Sequence, residues 1–294
     1  MQWIQLFLPF LRPLCFIASI APFRQSVIIV TGGAAGIGRA LCERLSEFSA
    51  RIVVADINGA RAEELADAIR GRGGQAESAE IDVANSSQVE SLVAKTLAKH
   101  GRLDFMFNNA ATAAVGEFRD GNLADCRRIM DVNFFGVVHG TMAAYHVMLR
   151  QGSGHIVNTA SVTGLFPSPI ISAYSASKCA IVGFSNAVRE EAASLGVRIS
   201  VACPGLVKTD IGERNVYWNV RKEDYLRWLP WMRMALSPAQ AAEAILRGTA
   251  RNQGMIIFPR AAKIGWQVHT LWPALFRPIF RRTVQGFRAL RIRR

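Results

Sequence analysis

Tyr174 and Lys178 stand four residues apart in Tyr174-Ser175-Ala176-Ser177-Lys178. On a helix this spacing puts both side chains on one face, within reach of a common ligand. A phenol with a reference pKa near 10 is a poor base at neutral pH. A neighbouring ammonium favours the phenolate and lowers that value, each unit being worth about 1.4 kcal/mol. The spacing alone is common on solvent-facing helices. Ser161, thirteen residues before the tyrosine and just past an apolar run, makes the set specific.

A second constellation, Thr31-Gly32-Gly33-Ala34-Ala35-Gly36-Ile37-Gly38, lies between an apolar run and a stretch of helical character. Residues this small let the backbone approach a pyrophosphate at a helix N-terminus, where free N–H groups and the helix dipole favour an anion. Asp56 ends the next apolar run. There its carboxylate can accept hydrogen bonds from the adenosine ribose hydroxyls and would repel a 2′-phosphate. Ala34, Ala35 and Ile57 offer that phosphate no cation. NAD is expected, with NADP as the alternative. The competing structural reading of Asp56 is a cap on the following helix.

The elements that must carry these residues follow from periodicity. Apolar runs at Ser26 to Thr31, Arg51 to Asp56, Ala79 to Val83, Leu103 to Asn108, Gly154 to Thr159, Arg198 to Cys203 and Met255 to Phe258 alternate with helical stretches, among them Arg39 to Phe48, Ala60 to Arg70 and Met130 to Val138. Such alternation predicts βαβ units and a parallel sheet covered on both faces. A last helix starts with Ser237 as N-cap, Pro238 at N1 and Gln240 at N3, a capping-box pattern. Before it, residues 209–236 form a lid-like insertion holding Tyr217, Trp218, Tyr225, Trp228, Trp231, Met232 and Met234.

Of the 294 residues, 35 are Lys or Arg and 22 Asp or Glu, a net +13. Nine of the cations fall in residues 260–294, which contain no acid, so the remaining 259 residues carry 26 minus 22, or +4. A nearly neutral body argues against nucleic-acid binding. Cys15, Cys42, Cys126, Cys179 and Cys203 are odd in number and lack metal-ligand spacing, so neither a metal site nor a disulfide framework is expected. Residues 1–23 are strongly apolar but broken by Pro9, Arg12 and Pro13, which suits an interfacial anchor or a poorly spanning hairpin better than a spanning helix or a secretory signal; the alternatives are an arm packed on the protein itself or a wrongly assigned start. After Pro278, helical angles put Ile279, Phe280, Thr283, Val284, Phe287 and Leu290 on one side and Arg281, Arg282 and Arg288 on the other. A basic amphipathic helix of this kind suits an anionic membrane surface, a dimer contact or an acidic partner.

Together with Asp82-Val83, Asn108-Asn109-Ala110, Asn133 and Pro204-Gly205 followed by Thr209, these motifs resemble the short-chain dehydrogenase/reductase family over about Ser26 to Pro259. The family's Asn-Asn-Ala-Gly ends here as Ala111, a departure that removes no reacting group. The resemblance implies one α/β domain over residues 24–259, a Rossmann-like, doubly wound parallel sheet of about seven strands, with a tail at 260–294. It implies that Tyr174 is the general acid/base, that Lys178 lowers the tyrosine pKa and bonds the nicotinamide ribose, and that Ser161 binds the substrate oxygen. Asn133 would hold a water in a proton relay to Lys178. Thr31, Gly32, Gly36, Ile37, Gly38 and Asp56 would bind the cofactor, with Asp82 at the adenine amino group, Val83 at its ring and Asn109 at the adenosine ribose. Pro204, Gly205 and Val207 would join them, and Thr209 would bond the carboxamide or phosphate.

The expected activity is NAD-dependent interconversion of an alcohol and a carbonyl. The alternative is an NAD-binding sensor with little turnover, which the intact Ser161, Tyr174 and Lys178 disfavour. The lid aromatics point to a lipophilic alcohol or ketone as substrate. A homodimer or homotetramer in the cytoplasm, with peripheral membrane contact through both termini, completes the expectation.

Overall fold

The structure is a computed structural model and describes residues 21–228 and 235–292. Most of the apolar N-terminal segment, with Cys15, lies outside the described residues, as do Trp231, Met232 and Met234 of the lid.

Seven strands form one parallel sheet: β1 (Val27–Thr31), β2 (Arg51–Asp56), β3 (Gln75–Glu80), β4 (Phe105–Asn108), β5 (Gly154–Thr159), β6 (Val197–Pro204) and β7 (Met255–Phe258). Their spatial order is β3-β2-β1-β4-β5-β6-β7, so the chain winds outward in one direction and then back across β1 to the other. All five residues of β1 are buried, as a strand covered on both faces requires. Ile28 and Val30 pack with Leu41 and Leu45 of α1 (Gly36–Ser46), Leu65 and Ile69 of α2 (Gly59–Arg70) and Ile245 of a helix near the chain's end. Ile29, on the other face, packs with Val89 and Val93 of α3 (Ser86–His100) and with Val147 and Met148 of a helix described below.

Three of the expected runs match their strands to the residue, at β2, β5 and β7. The third strand does not. It is the polar segment Gln75–Glu80, four residues before the expected Ala79 to Val83. β3 is an edge strand bonded only to β2, so its outer side needs no apolar residues, and the apolar Ile81 and Val83 follow it. The helix near the chain's end is α7 (Pro238–Ala250), whose Ser237 and Gln240 make the reciprocal capping box.

Helix α4 (Leu123–Met130) runs through one π turn, Asp131–Phe135, into α5 (Gly136–Gln151). Asn133 sits in that turn rather than in regular helix. Helix α6 (Ser172–Ala192) carries Tyr174 and Lys178. Beyond β7 the chain forms α8 (Arg260–Leu271), a short turn at Pro273–Phe276 and α9 (Arg277–Arg288).

Candidate active site

Doubly wound sheets place ligands beyond the carboxyl ends of the strands, where the winding reverses. Here a cavity of about 570 Å³ opens at that edge, lined by the ends of β1, β2, β4, β5 and β6 and by the start of α6.

The glycine turn forms one end of it. Gly32 has φ +61, and a Cβ there would come 2.8 Å from Ala110 Cα. A Cβ on Gly38 would overlap the Gly32 carbonyl oxygen, so the turn can coil into α1 only as glycine. Thr31 ties this turn to the one after β4: its Oγ1 accepts from Asn109 N (3.0 Å) and Ala110 N (3.3 Å). Asn109 Nδ2 donates back to the carbonyls of Thr31 and Gly32, both at 3.3 Å. Asp56 is buried, accepting from Ala34 N at 3.1 Å and Asn58 N at 3.0 Å. The cap of α2 is Asn58, not Asp56. The aspartate therefore braces the glycine turn from the neighbouring strand while lining the cavity.

At the other end Ser161, Tyr174 and Lys178 converge. Ser161 is buried past β5, its Oγ accepting from Thr163 N at 3.2 Å. The half-buried Tyr174 phenol is pushed up to about 12 by desolvation, an effect its hydrogen bond with Ser161 opposes. Lys178 is buried with its Nζ 5.5 Å from the Tyr174 ring centroid, and donates to Thr159 O at 2.9 Å. Burial brings its ammonium down to about 7. The sequence suggests that lysine pulls the phenol down. For both groups the loss of hydration on burial is instead the dominant effect.

Asn133 is fully buried behind this end. Its side chain accepts from Thr112 N (2.8 Å) and donates to Thr112 O and Ser177 Oγ (both 2.9 Å). These bonds pin the loop after β4 onto α6.

Comparison with known proteins agrees with this geometry. The family model for short chain dehydrogenase matches residues 26–219. The chain belongs to the short-chain dehydrogenase family. A 3-oxoacyl-[acyl-carrier-protein] reductase from Synechocystis is 34% identical over 74% of this chain and 87% of its own length. A short chain dehydrogenase/reductase from Burkholderia phymatum, solved in complex with NAD, superposes with a TM-score of 0.78 at 28% identity, covering 87% of this chain and 96% of the other. The apo form of LigD from Sphingobium aligns with a TM-score of 0.73 at 25% identity over 85% of this chain and 96% of its own.

In this short-chain dehydrogenase the cavity gathers Gly32, Gly36, Ile37, Asp56, Asn109, Ser161, Tyr174, Lys178, Pro204, Gly205, Val207 and Thr209. Thr31, Gly38 and Asn133 brace it from behind. Asp82 lies in a separate groove with Ile57 and Gln88, its Oδ1 accepting from Ala84 N at 2.9 Å. Val83 is buried against Gly136.

Sequence reasoning missed further residues that line the cavity, among them Thr112, Val115, Val162, Phe166 and Ile171. Of the described lid aromatics only Tyr225 reaches the cavity. Trp218 turns inward onto Ala114 and Ile129, with its Nε1 donating to Asp125 at 2.7 Å. The C-terminal end of the tail helix's apolar side is covered by protein. Phe287 is fully buried with Val115, Ile170 and Val220, in ring contact with Tyr225 and Trp228. Arg288 donates to Glu117 (2.8 and 2.9 Å) and Arg291 to Asp120 (2.6 and 3.1 Å). The guanidinium of Arg288 holds the Glu117 carboxyl below its ordinary range. The end of the tail is thus a latch on the Val115 side of the cavity.

Proposed function

We propose that this oxidoreductase interconverts an alcohol and a carbonyl on a lipophilic substrate, using NAD(H) and the set Ser161, Tyr174 and Lys178. The observation that carries the reading is the single cavity joining that set to the glycine turn and Asp56. The backbone at Gly32 and Gly38 leaves no room for side chains, which suits a bound pyrophosphate. Asp56 stands where it would meet the adenosine ribose, without a cation at Ala34, Ala35 or Ile57 to receive a 2′-phosphate, and this favours NAD over NADP.

When bound, NAD accepts or returns a hydride at the substrate carbon. Tyr174 takes the hydroxyl proton of an alcohol or gives it back to a carbonyl, acting as general base or acid. Ser161 holds the same substrate oxygen and stabilises its developing charge. Lys178, anchored on the Thr159 carbonyl, sets the field around the phenol and would bond the nicotinamide ribose. Val207 and Thr209 line the cavity and would hold the nicotinamide end, and Asn133 keeps the Thr112 loop and α6 in register.

Val115, Val162, Phe166, Ile171 and Tyr225 form an apolar wall that suits a lipophilic alcohol or ketone. A homodimer or homotetramer in the cytoplasm, with peripheral membrane contact, completes the proposal. The test is a screen of secondary alcohols of graded hydrophobicity for NADH production by the wild type and Tyr174→Phe. Turnover that survives the substitution would refute the mechanism.

A further inference from the structure

The half of the tail nearest β7 contrasts with its latched end. Leu271, Trp272 and Leu275 are 66%, 59% and 61% exposed, and Ile264 and Ile279 extend the same apolar surface along α8 and α9. Lys263, Arg277, Arg281 and Arg282 are exposed around it, and among the described residues none of the four has an acidic partner. A tryptophan and two leucines at a helix turn, ringed by unpaired cations, match the chemistry of an anionic lipid interface, where indole sits at headgroup depth. A protein partner would have to be both acidic and apolar over the same few residues.

The turn also has a fixed relation to the substrate cavity. Beneath it His269, Phe276 and Phe280 form an aromatic cluster, with the His269 and Phe276 rings 5.1 Å apart. Phe166, which lines the cavity, packs on His269 at 5.8 Å and Phe276 at 6.1 Å. One aromatic cluster therefore separates the exposed turn from the substrate wall.

We propose that the Leu271–Leu275 turn inserts into an anionic bilayer while Arg277, Arg281 and Arg282 bind lipid headgroups, so that the cavity receives its substrate from the membrane. The surface assignment stands on exposure and charge alone. The delivery of substrate rests on the lipophilic-substrate reading above.

The test uses the full chain with vesicles of phosphatidylcholine, with and without phosphatidylserine. Wild-type protein should float with the anionic vesicles and less with the neutral ones. Leu271→Glu/Trp272→Glu/Leu275→Glu should reduce partitioning at least tenfold. Brominated lipid should quench tryptophan emission, and Trp272→Phe should lose most of that quenching, a readout specific to this turn whatever else touches the vesicle. The triple variant should oxidise a short, water-soluble alcohol like the wild type, with a raised KM only for a long-chain alcohol carried in vesicles.

Undiminished flotation of the triple variant, or equal quenching in Trp272→Phe, would overturn the proposal. So would a triple variant that sediments as a smaller species than a wild type indifferent to vesicles, since the patch would then join copies of this chain. If no alcohol is oxidised at all, the enzymatic reading fails, while flotation and quenching still decide the surface.

Discussion

The two ends of the cavity are held by different kinds of force. At the glycine-turn end, Gly32 and Gly38 leave no room for a Cβ, and Thr31 and Asn109 tie neighbouring segments of the sheet together through side-chain-to-backbone hydrogen bonds. At the substrate end, the short parallel pair of Ala114–Val115 with Val216–Tyr217 is backed by Phe287, more than 170 residues beyond Val115. A turn with no room for a Cβ, tied by two particular side chains, admits few residue types. A wall made of side-chain packing admits any set of apolar residues that fills the volume. Substrate choice can therefore change without disturbing the cofactor end.

Substitutions can be ranked by how sharply they separate the ends. Tyr174→Phe should lower turnover by about 10²–10⁴ while leaving NAD affinity, measured by calorimetry, intact. Phe287→Ala removes a fully buried ring, a change that costs about 3–5 kcal/mol in a packed core. It should raise KM for the alcohol and speed hydrogen exchange at residues 216–228, without altering the NAD Kd. A weaker NAD affinity in that variant would break the separation. Gly38→Ala should do the reverse, weakening NAD by about tenfold or more, some 1.4 kcal/mol, with urea unfolding confirming a folded protein.

Two subtler effects follow from protonation. Ser161→Ala deletes the hydrogen bond that opposes desolvation of Tyr174, so the alkaline rise of kcat/KM for alcohol oxidation should move to higher pH. Lys178 titrates near 7 in the folded protein against an ordinary 10.5. Between these values the unfolded chain holds a proton that the folded one lacks. Stability should therefore rise with pH across that window, and be lost as pH falls toward 7. Thermal unfolding of Lys178→Met, followed from pH 7 upward, should lack the rise. Glu117→Gln should have the smallest effect, a slight salt-sensitive increase in KM, because the Arg288 guanidinium it pairs with is half open to solvent.

The same division explains what could be read from sequence. The glycine turn, Asp56, Ser161, Tyr174 and Lys178 were legible because each occupies a position whose backbone or chemistry excludes most alternatives. β1, β2 and β5 were legible because strands covered on both faces carry an uninterrupted apolar stretch, Val27–Val30, Ile52–Ala55 and Ile156–Val157. β3 was misplaced because an edge strand escapes that rule. Trp218, Tyr225 and Trp228 look alike in sequence, yet only Tyr225 faces the cavity, since their directions are set by partners such as Asp125 and Phe287. The amphipathic pattern of α9 was correct, but periodicity shows that an apolar face is covered and not what covers it.

The latch also carries a consequence for synthesis on the ribosome. Chains emerge from the N-terminus and domains begin to fold as they appear. All seven strands and the whole nucleotide end precede Phe287, Arg288 and Arg291 in translation order. A nascent chain can thus build its cofactor end first, while its substrate wall stays unsupported until the latch arrives. Ribosome-stalled chains ending shortly before residue 287 should accordingly bind NAD ahead of acquiring a defined substrate preference.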